Sequence, residues 1–325
     1  MPIASTMQAV YLEGGKVTVR DVPVPERPPG FALLRLLKAG ICNTDLELQR
    51  GYYGFSGIPG HEFTGEVVEA DAPEWIGACV AGEINLACGQ CGWCRRGLGR
   101  HCPTRTVLGI VNHPGAFAEY ILLPEGNLHR LPPEISADRG VFIEPLAAAC
   151  EILDQVPIAQ GSRVAVLGDG KLGLLISQVI QQHGARVVQY GRHADKLQIA
   201  AAAGVEIHAG GVRPRKEFEY VVDCTGSPEG LREAVSMVHP RGTVILKSTL
   251  HGEVAVDTAP IIVDEVTLVG SRCGRFEPAI ELLRQNRINV TAMLSAEFPL
   301  ERAPDAFAEA ARRGVLKVLL APDSE

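Results

Sequence analysis

The chain has 325 residues, enough for two domains that each bury a sizeable core. With 46% hydrophobic and 21% charged residues it has the composition of a folded protein, and no apolar run approaches the roughly 18 residues a membrane span needs. Thirty-one Lys plus Arg against 38 Asp plus Glu leave a net charge of −7, with the basic residues scattered, which argues against nucleic acid and membrane and for a small-molecule partner.

Residues 1–7 carry neither a basic nor an apolar leader segment, so a cytoplasmic location is expected. Nine cysteines in that setting favour metal or catalysis over disulfides. Residues 7–70 alternate short apolar runs, such as 31–37 and 66–68, with Pro- and Gly-rich punctuation; this predicts a β-rich domain without a long helix. From about Ala147 the rhythm changes to strand and helix in turn. Strands are predicted at 163–168, 186–190, 219–224, 243–248 and 266–271, and helices at 171–184, 194–203 and 229–238. Such alternation implies right-handed βαβ units and a doubly wound parallel sheet. A helix at 278–287 and a strand at 315–320 close the chain, which has no internal repeat.

Four cysteines, Cys88, Cys91, Cys94 and Cys102, fall in one stretch with C-x2-C-x2-C-x7-C spacing. Four thiolates so close suit a closed tetrahedral Zn²⁺ with Zn–S distances of about 2.3 Å, a site that folds a loop. The string Gly168-Asp169-Gly170-Lys171-Leu172-Gly173 follows an apolar strand and opens an amphipathic helix. There its glycines permit a tight turn and the approach of a pyrophosphate to the helix N-terminus. At the end of the next strand, where an acidic residue would hold the adenosine ribose, stand Gly191, Arg192 and His193, with Lys196 one turn on. A small residue followed by cations leaves room and charge for a 2′-phosphate, so NADP is expected, with NAD as the alternative.

A dispersed set, Cys42, His61, Glu62 and Glu144, includes one Cys, one His and Glu side chains that can hold Zn²⁺ with an open fourth position. Spacing alone does not show this. Taken singly, Cys42 also fits an apolar filler, His61 a loop histidine and Glu144 a helix cap.

At these residues the chain resembles the zinc-dependent alcohol dehydrogenases of the medium-chain dehydrogenase/reductase superfamily. GICNTD, GHEFTGEVV, the four-cysteine lobe, GAFAEY, FIEPLAAA, VLGDGKLG, DCTG, RGTVILKS and LKVLL occur in the family's order. The resemblance implies a GroES-like β-rich catalytic domain, 1–147 with 286–325, carrying the zinc lobe at 88–102, and a Rossmann cofactor domain, 148–285. It implies two zinc ions per chain: a catalytic one on Cys42, His61 and Glu144 with Glu62 as a close or exchanging ligand, and a structural one on the lobe. Asp45 would orient His61, and Thr44 would start a proton relay. The relay's usual histidine is here Glu47, and Glu144 replaces the cysteine of the alcohol dehydrogenases proper, as in the polyol and sugar branches. Thr225, Gly226, Ser271, Cys273 and Lys317 would contact the cofactor, Lys317 at its pyrophosphate. The chain is somewhat shorter than typical members between Glu62 and Cys88, and Gly77-Ala78-Cys79-Val80 lacks the family's charged pair there.

The function so implied is hydride transfer between NADP(H) and an alcohol/carbonyl pair, a polyol or sugar among the candidates, by a homodimer or homotetramer. The competing readings are a zinc-free enone or quinone reductase of the same superfamily and a non-catalytic cofactor-binding protein.

Overall fold

The computed structural model describes residues 3–212, 215–249 and 254–322. The expected catalytic domain's two extreme ends, 1–2 and 323–325, lie outside the described residues. The chain forms two compact units, Met1–Glu144 with Leu294–Glu325, and Pro145–Met293.

The first unit begins with a hairpin, β1 (Thr6–Glu13) and β2 (Lys16–Pro23), turning on Gly14 and Gly15, both at positive φ as a tight two-residue hairpin loop requires. Then come β3 (Phe31–Gly40), α1 (Asn43–Gln49), β4 (Glu62–Glu69), β5 (Cys79–Gly82), β6 (Asn85–Leu86), α2 (Gly92–Arg95), β7 (Thr106–Leu108), β8 (Asn112–His113), β9 (Tyr120–Pro124), β10 (Leu128–Arg130) and α3 (Ala137–Gly140), after which α4 (Ile143–Gln155) carries the chain into the second unit. No helix between 7 and 70 exceeds the seven residues of α1, as the Pro/Gly punctuation predicts.

The second unit carries β11 (Arg163–Leu167), α5 (Lys171–Gln182), β12 (Arg186–Gly191), α6 (Ala194–Ala202), β13 (Glu206–Ala209), β14 (Phe218–Asp223), α7 (Pro228–Met237), β15 (Val238–Leu246), α8 (Ala259–Val263), β16 (Thr267–Gly270) and α9 (Phe276–Arg284). Its sheet is six-stranded and wholly parallel, in the order β13-β12-β11-β14-β15-β16. The order reverses at β11, so a crevice opens beyond the carboxyl ends of the strands there, where doubly wound sheets bind ligands. Central β11 is buried from Val164 to Leu167, the near-continuous apolar run of a strand covered on both faces. Leu167, Val188, Val221 and Val244 build the core with Ala234 and Met237 of α7.

The chain then returns to the first unit with β17 (Leu294–Pro299), α10 (Ala303–Ala310) and β18 (Lys317–Ala321). These complete a seven-stranded sheet, β10-β5-β4-β3-β18-β17, with β9 also on β3. Hydrogen bonding of β18 to Leu319↔Gly40 and Leu320↔Ala39 brings Lys317 beside residues met more than 250 positions earlier.

Candidate active site

Cys42 caps the N-terminus of α1, and its N–H donates to Asp45 Oδ2 at 2.8 Å. Asp45 is wholly buried; its other oxygen accepts the Gly60 N–H at 3.2 Å and faces His61 Nδ1 at 3.5 Å. One carboxylate thus ties the start of α1 to the residue preceding His61. Gly60 sits at φ +101, and a Cβ there would come within 2.4 Å of the Phe117 ring. The backbone of 59–60 also lies against Gly109 and Gly115, each passing so closely that a Cβ would approach a carbonyl oxygen to 2.2 Å. Glycine at three crossings is what lets the chain turn into β4 with His61 and Glu62 directed inward.

The ligand atoms of Cys42, His61 and Glu62 all lie within 4.8 Å of one another. His61 Nδ1 makes no hydrogen bond of ordinary geometry. Burial opposes charge on this ring, but the Asp45 carboxylate and the Cys42 sulfur outweigh it and lift His61 well above the usual imidazole value. A half-buried thiol with a buried imidazole and carboxylate at this separation suits one Zn²⁺ with a position left open. Glu144 does not belong to this mutually close set; it lies half-buried in the first turn of α4, whereas Glu62 follows His61 directly on β4.

Lys317 lies beside this set. Expected at the cofactor's pyrophosphate, it is 1% exposed, and its ammonium donates to Glu62 Oε2. Burial works against this charge, but Glu62, Cys42 and Asp45 more than offset it and raise the lysine's pKa. Gly40 leaves the space: a Cβ there would stand 3.0 Å from both Glu62 Oε2 and Lys317 Cδ.

Thr44 Oγ1 lies 3.8 Å from Cys42 Sγ. Glu47, one turn further along α1, is half-buried and held by Arg50 at 2.5 Å.

In the lobe, Sγ separations are 3.9 Å for Cys88–Cys94, 3.4 Å for Cys91–Cys94 and 3.9 Å for Cys91–Cys102. A tetrahedron with Zn–S of about 2.3 Å has edges of about 3.8 Å, so the four sulfurs already outline a zinc site. The Cys88 backbone N–H and the Thr104 hydroxyl bring the Cys102 thiol down to about 6, towards the thiolate a metal needs.

In the second unit, Gly168 through Gly173 make the turn from β11 into α5. Gly168 has φ +113, and a Cβ on Gly173 would lie 2.3 Å from the Gly168 carbonyl oxygen, so helix and strand meet as closely as a pyrophosphate cradle requires. Beside the turn is a cavity of about 580 Å³ lined by Gly168, Asp169, Gly191, Arg192, His193 and Thr225, of a size for an adenosine moiety. Lys171 and Leu172 open α5 half-buried, and Lys196 lies in the first turn of α6. Thr225 is fixed on Asp223 Oδ1 by its N–H and hydroxyl, and Gly226 N–H donates to Ser248 Oγ. Ser271 Oγ accepts from Lys247 Nζ at 2.9 Å beside half-buried Cys273.

Two residues were not singled out in the sequence. Lys247 is buried at the end of β15 and also donates to the Arg272 carbonyl, bracing the 271–273 segment. Asp169, inside the glycine-rich string, turns its carboxylate onto the end of β12, and Gly191 is small because a Cβ there would stand 2.5 Å from the Asp169 Cβ. The space read as room for a phosphate is filled by that side chain.

The alcohol dehydrogenase GroES-like domain family matches residues 28–133, and the zinc-binding dehydrogenase family matches residues 172–285. An L-threonine 3-dehydrogenase of Streptomyces avermitilis is 31% identical over 328 residues, 92% of this chain and 94% of the relative. A D-altritol 5-dehydrogenase of Agrobacterium fabrum is 29% identical over 312 residues, 89% of this chain and 91% of the relative. A zinc-binding dehydrogenase from Sinorhizobium meliloti 1021, solved with NADP, has a TM-score of 0.90 at 31% identity and covers 98% of this chain and 100% of its own. The chain belongs to the zinc-dependent alcohol dehydrogenase family of the medium-chain dehydrogenase/reductase superfamily, with a GroES-like and a Rossmann unit. It is an oxidoreductase acting on alcohols.

Proposed function

We propose that the enzyme interconverts a polyol or sugar alcohol and its carbonyl compound, using a nicotinamide dinucleotide and two zinc ions per chain. The observation that carries this reading is the close cluster of half-buried Cys42 with buried His61 and Glu62. When bound there, zinc supplies a Lewis acid that acidifies an alcohol hydroxyl, and the nicotinamide supplies the hydride acceptor. Cys42, His61 and Glu62 would hold the metal, Asp45 holds Cys42 and Gly60 in place, and Lys317 holds the Glu62 carboxylate in position by an ion pair. Thr44 accepts the substrate's hydroxyl proton. Glu47, on the same face of α1, passes it towards solvent. The lobe's zinc fixes the loop from Cys88 to Cys102. The glycine-rich turn, Thr225, Gly226 and the 271–273 segment seat the dinucleotide.

The polyol class rests on relatives named for altritol, sorbitol and erythritol or threitol, at 26% to 29% identity. A β-hydroxy amino acid is the second reading, favoured by the threonine dehydrogenases at up to 31% identity. The nine free thiols suit a reducing, cytoplasmic setting, and the subunits pair through β16 into a homodimer or homotetramer.

The test is zinc content per chain of wild type and Cys42→Ala, with turnover of alditols, aldoses, simple alcohols and L-threonine. Two zinc ions falling to one, with alditol oxidation lost, is expected. One ion in both proteins would remove the Lewis acid, and preferential threonine oxidation would replace the polyol class.

A further inference from the structure

We infer that Asp169, a residue of the glycine-rich turn, is the cofactor-discriminating acid of this enzyme: it receives the adenosine ribose hydroxyls and disfavours a 2′-phosphate. The inference rests on the dinucleotide reading above and deepens it.

In doubly wound dinucleotide sites the ribose diol is met by an acidic side chain at the end of the second strand, and a 2′-phosphate is met there by cations and free donors. Here the second strand, β12, ends in Gly191, which has no side chain to offer. The acid reaches the same place from the opposite side. Asp169 Oδ2 accepts the Arg192 N–H at 2.7 Å, the His193 N–H at 2.6 Å and lies 3.0 Å from His193 Nδ1. Its other oxygen, Oδ1, takes no part in these bonds. Burial opposes ionisation, but the His193 N–H, the His193 ring and the Arg192 N–H outweigh it and hold the carboxyl below its ordinary value. Asp169 is therefore an anion at neutral pH, lining the adenosine cavity with one acceptor still available.

Two consequences follow for a ligand's 2′ position. A hydroxyl finds an acceptor in Oδ1. A phosphate finds the two backbone donors of the strand end already taken by a carboxylate, and meets that carboxylate's charge at close range. Arg192 is exposed and can still approach a phosphate, so NADP remains a ligand, but a weaker one than NAD. Gly191, read in the sequence as a vacancy for phosphate, is the vacancy that admits Asp169.

The experiment is equilibrium binding of NAD and NADP to the zinc-loaded enzyme, read by fluorescence or calorimetry and independent of turnover. Wild type should hold NAD at least tenfold tighter than NADP, and 5′-AMP tighter than adenosine 2′,5′-bisphosphate by a similar factor. Asp169→Asn, which keeps the shape and removes the charge, and Asp169→Ser, which releases both amides, should each move the NADP/NAD ratio tenfold or more towards NADP. Tighter binding of NADP than NAD by wild type, or an unchanged ratio in both variants, would overturn the role of Asp169 while leaving the dinucleotide site intact. Should the variants not fold, the adenosine phosphate comparison on wild type decides by itself. Binding of neither dinucleotide to wild type would overturn the underlying reading as well.

Discussion

Glu62 and Lys317 lie 255 positions apart in the chain yet form an ion pair with 2% and 1% of the side chains exposed. A buried charge is tolerable only while its counter-charge is present. Lys317→Met should therefore destabilise the first unit by about 3 kcal/mol, and Glu62→Gln with Lys317→Met should regain most of that loss. Urea denaturation followed on that unit's transition measures both. A single variant as stable as the double would show that the pair does not act as one unit. Asp45 is held to a different standard, since it acts on the metal through others. Asp45→Asn keeps the size but weakens the acceptor facing Cys42, Gly60 and His61, and zinc affinity at the Cys42 site should fall about 10- to 100-fold. Titration against a competing chelator reads this directly, and the lobe's zinc should be unaffected.

At the scale of elements, the crossing of 59–60 over Gly109 and Gly115 sets where β4 begins. Gly115→Ala would drive a methyl group onto the Pro59 carbonyl, so the chain before His61 must shift. A cost of about 1–3 kcal/mol and a loss of catalytic-site zinc are expected, with dinucleotide affinity of the second unit unchanged. Calorimetry and elemental analysis together check this, and full zinc content in a stable variant would contradict it. Local pattern made some of these elements legible in the sequence and hid others. The turn from β11 into α5 was readable because apolar strand, glycines and helical periodicity are contiguous. β13 was not, because it is a short edge strand, Glu206–Ala209, whose largely exposed side chains leave no apolar run. The helix over Ile143–Gln155 was missed because its apolar run reads equally as buried strand or helix. Of the site, Cys42, His61 and Glu62 were visible as residue types. That Glu62 and not Glu144 completes the close set depends on tertiary placement, as does the turning of Asp169 onto β12, and no spacing rule encodes either.

At the scale of the whole molecule, the six-stranded sheet ends at β16, whose outer edge has no strand beside it among the described residues. Unprotected edges invite pairing, and this one carries no lysine or proline to discourage it. Close to it in sequence, Ile262 and Val263 are 72% and 79% exposed and Leu268 40%, an apolar group that water covers poorly. A two-fold axis through β16 would pair the strand with its own copy, satisfy both edges at once and bring the same apolar side chains of each subunit together. Val263→Arg with Leu268→Arg places like charges across such an axis, and light scattering should then report halved mass relative to wild type. The Cys42 cluster and the glycine-rich turn lie on other elements, so the variant should retain both zinc ions and its affinity for dinucleotide. A wild type that is monomeric at micromolar concentration, or a variant of undiminished mass, would assign the exposed group some other role.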